Sequence, residues 1–228
     1  MVFTVCWYGN QVPRTADHEQ RRRQIADAVC ALIADHGLDA VTVARTAATA
    51  GMSVGLVQHY FRTKDDMLLH AFRTVSARIR ERAEEHIRAG TEHRRPIAQV
   101  MAAVMAEFLP LDEERRTEHR VSRAFAGRAL DAPALAEVDL ETACRLREDI
   151  ARSVHNGKEC GEVEPHLDPW PAAVRLTAVA EGLAVQVYRD LSGGDTRAAE
   201  LSASVIDAEL AEVFTGRCRQ YAEAADSV

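Results

Sequence analysis

The 228-residue sequence predicts an all-α protein of about nine helices. It divides into an N-terminal three-helix head containing a helix-turn-helix and a C-terminal helical body. Three observations carry that reading. Ala, Leu, Arg and Glu, all strong helix formers, dominate the composition. Few segments alternate with the period of two that a half-buried strand needs. Apolar residues recur instead at helical spacing, between breaks rich in Gly and Pro.

The first helix is expected over residues 17–36, where Ile25, Ala28, Val29, Leu32 and Ile33 form one apolar stripe and Gly37 ends it. A second covers 43–50. Thr42 caps it by accepting a bond from a first-turn N–H, and Gly51 ends it in a left-handed conformation at no steric cost. Ser53 caps a third helix over 54–61. Ala44, Ala47, Ala48 and Gly55 let helices two and three cross closely. Thr63 and Asp66 resemble a capping box with Asp replacing Glu, which starts helix four. That helix reaches about residue 89 and buries Met67, Ala71, Phe72, Val75, Ile79 and Ala83.

Breaks at 90–96 and 110–112 bound a fifth helix over 97–109. The sixth runs over 113–130, carrying Val121, Ala124 and Phe125 inward. Pro133 suits the first turn of the seventh, which reaches about residue 154. Asn156-Gly157, Gly161 and Pro165 read as a loop. Helix eight spans 169–191 and helix nine 197–214, with the last dozen residues frayed.

Thr42 to Lys64, TVARTAATAGMSVGLVQHYFRTK, has the sequence form of a helix-turn-helix, whose second helix enters the DNA major groove. The run MSVGLVQHYFRTKDDML resembles the recognition-helix signature of tetracycline-repressor-like (TetR) regulators, and the likeness extends from Gln20 to Leu69. Glycine, capping serine, aromatic pair, Thr-Lys and acidic start all occur in register. The stretch LPLDEERRTEHRVSRAFAGRALDAPALAEV is similar, less specifically, to the choline-responsive BetI-like branch. The resemblance implies a head over 17–66, a ligand-binding and dimerisation body over 67–228, and a homodimer that reads a palindromic operator on double-stranded DNA. It also implies a small-molecule inducer whose occupancy resets the spacing of the heads, and repression as the regulatory effect.

Net charge is −7, yet residues 11–66 hold seven basic and seven acidic side chains, so the excess lies entirely outside the head. Phosphate would repel the acidic body, which helps orient the head. Cys6, Cys30, Cys144, Cys160 and Cys218 make an odd count without CxxC spacing, which argues for reduced thiols and against a disulfide framework, a zinc site or any cofactor. A cytoplasmic protein is expected, because no run is long and apolar enough to span a membrane and MVFTVCWYGN lacks the form of a signal peptide. VPRTADHEQRRR resembles how such regulators begin, so residues 1–16 read as a flexible extension and Val12 as the translation start.

Within the third helix, Val54 or Leu56 can press on a thymine methyl, Gln58 can pair with an adenine edge, and His59 can donate to guanine or phosphate. Gly55 lies on the same first turn, and Ser53 caps it. Thr42 adds a hydroxyl at a helix N-terminus. By position in the family motif, Tyr60 and Lys64 hold the backbone; Arg21, Arg22 and Arg23 can reach adjacent phosphates, and Arg14 the minor groove. Val57 and Phe61 read as core.

In the body, Phe108, His119, Phe125, Arg128, Cys144 and Trp170 are pocket candidates, each also readable as ordinary core or surface. With two Trp and four Tyr in the chain, no aromatic cage for a choline-like ligand is apparent. The segment AVRLTAVAEGLAVQVY is apolar around nearly its whole circumference and needs burial on more than one side. Val174, Ala178, Gly182 and Val185, with Leu201, Val205 and Leu210, are the expected dimer contacts of a two-fold four-helix bundle. A monomeric core built on the same helices is the alternative.

No GxSxG, phosphate loop or HExxH is present, so an enzyme is not expected. Glu162, Glu164, His166 and Asp168 read as a solvated loop rather than a metal site. Competing readings are a ligand-independent regulator, an activator, or an interaction protein with a relic head.

Overall fold

The computed structural model describes the backbone of residues 14–222 and the side chains of residues 18–220. Residues 1–13, with the proposed start and most of the expected extension, and Cys6 among them, lie outside the described residues. Helices α1 (Arg14–His36), α2 (Val43–Ala50), α3 (Val54–Tyr60) and α4 (Lys64–Glu92) come first, with a 3-10 turn at Leu38–Ala40 between α1 and α2. Then follow α5 (Ile97–Ala106), α6 (Glu113–Ala129), α7 (Pro133–Cys160), α8 (Pro169–Ser192), α9 (Arg197–Ala211) and one last turn, α10 (Arg219–Ala222). No strand occurs among the described residues, and no helix there is long and apolar enough to cross a membrane.

The predicted stripe of α1 (Ile25, Ala28, Val29, Leu32 and Ile33) is buried, as are Met67, Ala71, Phe72 and Val75 of α4, whereas Ile79 and Ala83, farther along α4, are only half-buried. The Thr63 box is complete in both directions at 3.0 Å, which satisfies the Thr63 and Asp66 N–H groups at the start of α4. Several boundaries differ from expectation. Helix α1 begins at Arg14 rather than residue 17, and α5 stops at Ala106 rather than residue 109. Helix α9 stops at Ala211, three residues short of Phe214, which with Val213 is buried after the helix ends.

The largest correction concerns Asn156-Gly157. These residues do not form a loop; they lie inside α7, which runs on to Cys160. Gly157 serves close packing there, since a methyl at that position would sit 2.6 Å from Val163 Cγ2 and 3.0 Å from the Phe214 ring. Gly90 is similar: a Cβ there would collide with the Val100 side chain, so α4 and α5 pack closely where α4 nears its end.

Two cores organise the chain. One joins α1–α4 to Val121, Phe125, Ala129 and Leu135 of α6 and α7, and so continues past residue 66. The other packs α5, α7, α8 and α9 around Met105, Val154, Leu176 and Ile206. Charged pairs stitch α4 to its neighbours. Arg78 donates to Asp27 of α1 at 2.6 Å, and Arg128 of α6 donates to both oxygens of Asp65 at 3.0 and 2.9 Å. Arg82 forks onto Glu118 of α6 at 3.0 and 2.6 Å and onto Glu107 at 2.7 Å. Burial pulls the Glu107 carboxyl up, but hydrogen bonds from His86 and Arg82 and the charge of Arg115 outweigh it and hold the group below the usual range.

Two stability outcomes follow. Glu118 is 2% exposed, so Arg82→Met should strand a buried carboxylate and lower unfolding free energy by about 3 kcal/mol in denaturant titration. Thr46 Oγ1 is buried without a partner, so Thr46→Val, which keeps the shape and removes the hydroxyl, should raise stability by about 1 kcal/mol. A loss of that size instead would mean that the hydroxyl is hydrogen-bonded in solution.

Candidate nucleic-acid interface

The turn between α2 and α3 is set by local chemistry. Gly51 adopts φ 65°, and the Met52 N–H reaches back to the Ala47 carbonyl at 2.9 Å, closing α2. The Thr42 and Ser53 hydroxyls accept from the N–H groups of Arg45 and Leu56, each at 3.2 Å. Both hydroxyls are exposed and keep a proton to donate outward.

Helix α3 is anchored on one side. Val57 is fully buried and Phe61, which caps the helix in an extended conformation, is buried beside it. The opposite face carries Val54, Gly55, Gln58 and His59, all exposed, with Leu56 and Tyr60 half-buried at its edges. A methyl at Gly55 would meet nothing within 4 Å, so the protein's own packing does not require glycine there. What Gly55 leaves is a bare stretch of backbone that an outside surface can approach closely.

Cations and rings surround this face. Lys64 is the first residue of α4, where the helix dipole disfavours a cation, and its only ion pair among those described is with fully exposed Asp39 at 3.9 Å. Tyr60 packs 4.8 Å from the His18 ring and 5.4 Å from the His59 ring. The Arg22 guanidinium lies over the Phe61 ring at 4.9 Å, so packing directs it toward α3. Arg21 is half-buried and Arg23 exposed, while Arg14 begins α1 with its side chain outside the described residues. Burial, reinforced by the charge of Arg22, lowers the pKa of His70, whose Nε2 lies 3.2 Å from the Arg22 carbonyl oxygen.

The six body candidates do not converge. Phe125 is fully buried and stacks on Phe72 at 3.9 Å, and Arg128 is held by Asp65. Trp170 is exposed at the start of α8, Phe108 is half-buried after α5, and Cys144 lies 3.5 Å from the Arg147 guanidinium on α7. His119 alone lines a cleft, one of about 340 Å³ between the end of α1, α6 and α8. The cleft's other polar residues, Arg120, Arg123, Tyr188 and Arg189, escaped the sequence reading because they belong to helices distant in the chain. Burial, aided by Arg123 and Arg116, pushes the His119 pKa down to about 4, so its ring is neutral and stacks 5.0 Å from Tyr188. A second, larger cleft of about 640 Å³ lies between α4 and α7.

The expected dimer contacts are mostly open to solvent, although Val185 lines the cleft beside His119. Val174, Ala178, Leu201 and Val205 are exposed, and Gly182 and Val185 are half-buried. Leu210 is a correction: at 3% exposure it belongs to the chain's own second core, because α9 turns that side toward α8.

Comparison with known proteins agrees with this geometry. Residues 25–71 match the family described as bacterial regulatory proteins, tetR family, and residues 96–214 match the BetI-type transcriptional repressor C-terminal family. The transcriptional regulator BetI of Burkholderia lata is 30% identical over 212 residues, covering 88% of this chain and 99% of that protein. A transcriptional regulator from Rhodococcus sp. Rha1 superposes with a TM-score of 0.71 at 29% identity, over 85% of this chain and 96% of its own. A regulator from Saccharomonospora viridis, solved in complex with choline, has a TM-score of 0.68 at 21% identity, over 85% of this chain and 95% of its own.

Two substitutions separate the roles this face can play. Lys64→Ala should weaken binding to all duplexes alike and reduce the salt slope by about one. Gln58→Ala should relax preference at a single base pair by roughly 1–3 kcal/mol. Identical effects of the two across operator variants would contradict the assignment.

Proposed function

The chain belongs to the TetR family of DNA-binding transcriptional regulators, with a BetI-type C-terminal portion, and on that premise we propose that it is a repressor that grips a palindromic operator as a homodimer and lets go when a small molecule binds its body. The head, residues 17–66, reads DNA; the body, residues 67–228, senses and pairs; the protein acts where the DNA is, in the cytoplasm. The exposed face of α3 carries this reading, because Val57 and Phe61 fix the helix while Val54, Gly55, Gln58 and His59 stay uncovered. Thr42, Ser53, Leu56, Tyr60, Lys64 and Arg22 flank that face and serve as backbone and groove contacts.

Pairing uses α8 and α9. Val174 is 44% exposed, Leu201 58% and Val205 37%, an apolar surface that a second copy would cover by a two-fold axis. Two heads on one axis then address two half-sites.

The effector enters the cleft beside His119. Three arginines and no carboxylate line it, which supports a ligand carrying negative charge. A quaternary ammonium of the kind held by the Saccharomonospora protein would meet repulsion there. The cleft touches the end of α1, so a ligand that prefers one arrangement of α1 against α6 shifts the head.

The deciding experiment is binding to the intergenic DNA beside its own gene against unrelated DNA, across a salt series, with the assembly state followed by sedimentation. Tight, salt-sensitive preference for its own DNA by a dimer is expected. Binding by a monomer would remove the palindrome, and no binding at any salt would leave an interaction protein with a relic head.

A further inference from the structure

Away from the DNA-binding face, the turn between α7 and α8 gathers three metal-ligating side chains. Cys160 Sγ, a Glu162 carboxylate oxygen and Cys218 Sγ all lie within 4.8 Å of one another, with Cys160 and Glu162 buried and Cys218 half-buried. The expectation that Glu162 sits in a solvated loop is overturned: it is 2% exposed. Helix α5 begins after Pro96, which has no side-chain acceptor, and Glu162 supplies the missing cap from across the fold. Its carboxylate accepts the Ile97 and Ala98 N–H groups at 2.9 and 3.1 Å.

The C-terminal segment is fixed against this turn by backbone chemistry. The Gly216 N–H donates to the Glu162 carbonyl at 2.9 Å, and Arg219 packs over Gly161. That bond brings Cys218 beside Cys160. No adjacent-cysteine spacing in the sequence announces the pair.

We propose that Cys160, Glu162 and Cys218 form a binding site for a thiophilic divalent cation of the zinc class. The distances fit. Cys160 Sγ lies 3.5 Å from Glu162 Oε1, and tetrahedral bonds of about 2.3 Å to sulfur and about 2.0 Å to oxygen set those ligands roughly 3.5 Å apart. Glu162 Oε1 keeps its bond from the Ile97 N–H while a second lone pair faces the cation, so α5 orients the ligand. Binding releases both thiol protons to solvent and leaves one coordination position open on the Cys218 side. The bound ion would tie the C-terminal segment, the α7–α8 turn and the start of α5 into one unit.

The test uses the full-length untagged chain, purified under reducing conditions and titrated with Co²⁺ and then Zn²⁺. One equivalent of cobalt should produce a thiolate-to-cobalt charge-transfer band that zinc bleaches, and zinc should raise the melting temperature. Cys218→Ser, at a half-buried position, should keep wild-type helicity by circular dichroism. It should also lose the band and weaken affinity by more than the roughly 10–100-fold typical of an outer-shell partner. The proposal falls if the wild-type protein shows no thiolate band, if Cys218→Ser retains it, or if thiol counting recovers a Cys160–Cys218 disulfide that takes up no metal once reduced.

Discussion

Phe72 of α4 and Phe125 of α6 stack with ring centroids 3.9 Å apart and planes 3° from parallel, inside the core that joins the head to α6 and α7. Both rings lie beyond residue 66, yet they share a single core with Val29 and Val57 of the head and with Met67 and Val121. The DNA-facing unit therefore has no sealed core of its own. Close-packed interiors transmit displacement rather than absorb it, so a shift of α6 is felt at α3 through Phe72 and its neighbours. The polar bonds repeat the same topology. Arg128–Asp65 and Arg82–Glu118 fasten α6 to α4 on either side of the stacked rings, at the first turn of α4 and farther along it.

These fastenings differ in character. Arg128 and Asp65 are each more than a third exposed, so water competes with their pairing. Arg82 and Glu118 lie deeper, and Glu107 and His86 extend them into a network. A buried network tolerates few intermediate geometries, because an unpaired carboxylate inside is costly. It favours discrete positions of α4 over a continuum.

Local features were the legible ones. Thr42, Ser53, Thr63, Asp66 and Gly51 perform the capping and turning roles their chemistry and spacing imply, because those roles involve neighbours within a few residues. The apolar stripes of α1 and α4 were readable for the same reason. Gly157 was misread because a glycine required for contact with Val163 and Phe214 has the same letter as one required for a turn. Leu210 shares its helix with Leu201 and Val205, and periodicity alone does not say which side of an apolar helix meets its own chain. Glu162 and the arginine-lined cleft were invisible for a related reason: each draws its meaning from residues far away in sequence. The candidate DNA face was thus open to inspection from the sequence, and the sensory part of the body was not.

The close meeting of Gly90 with Val100 has a mechanical meaning. It pins α4 near one end, while Lys64 stands at the other. Twenty-six residues of helix at 1.5 Å each make an arm of roughly 39 Å. A tilt of about 5° around the pinned end swings the far end by roughly 3.4 Å, the rise of one base step along a strand. The length of α4 thus acts as gearing: a change in side-chain packing near Gly90, too small to open a cavity, is enough to displace the Lys64 cation by one base step.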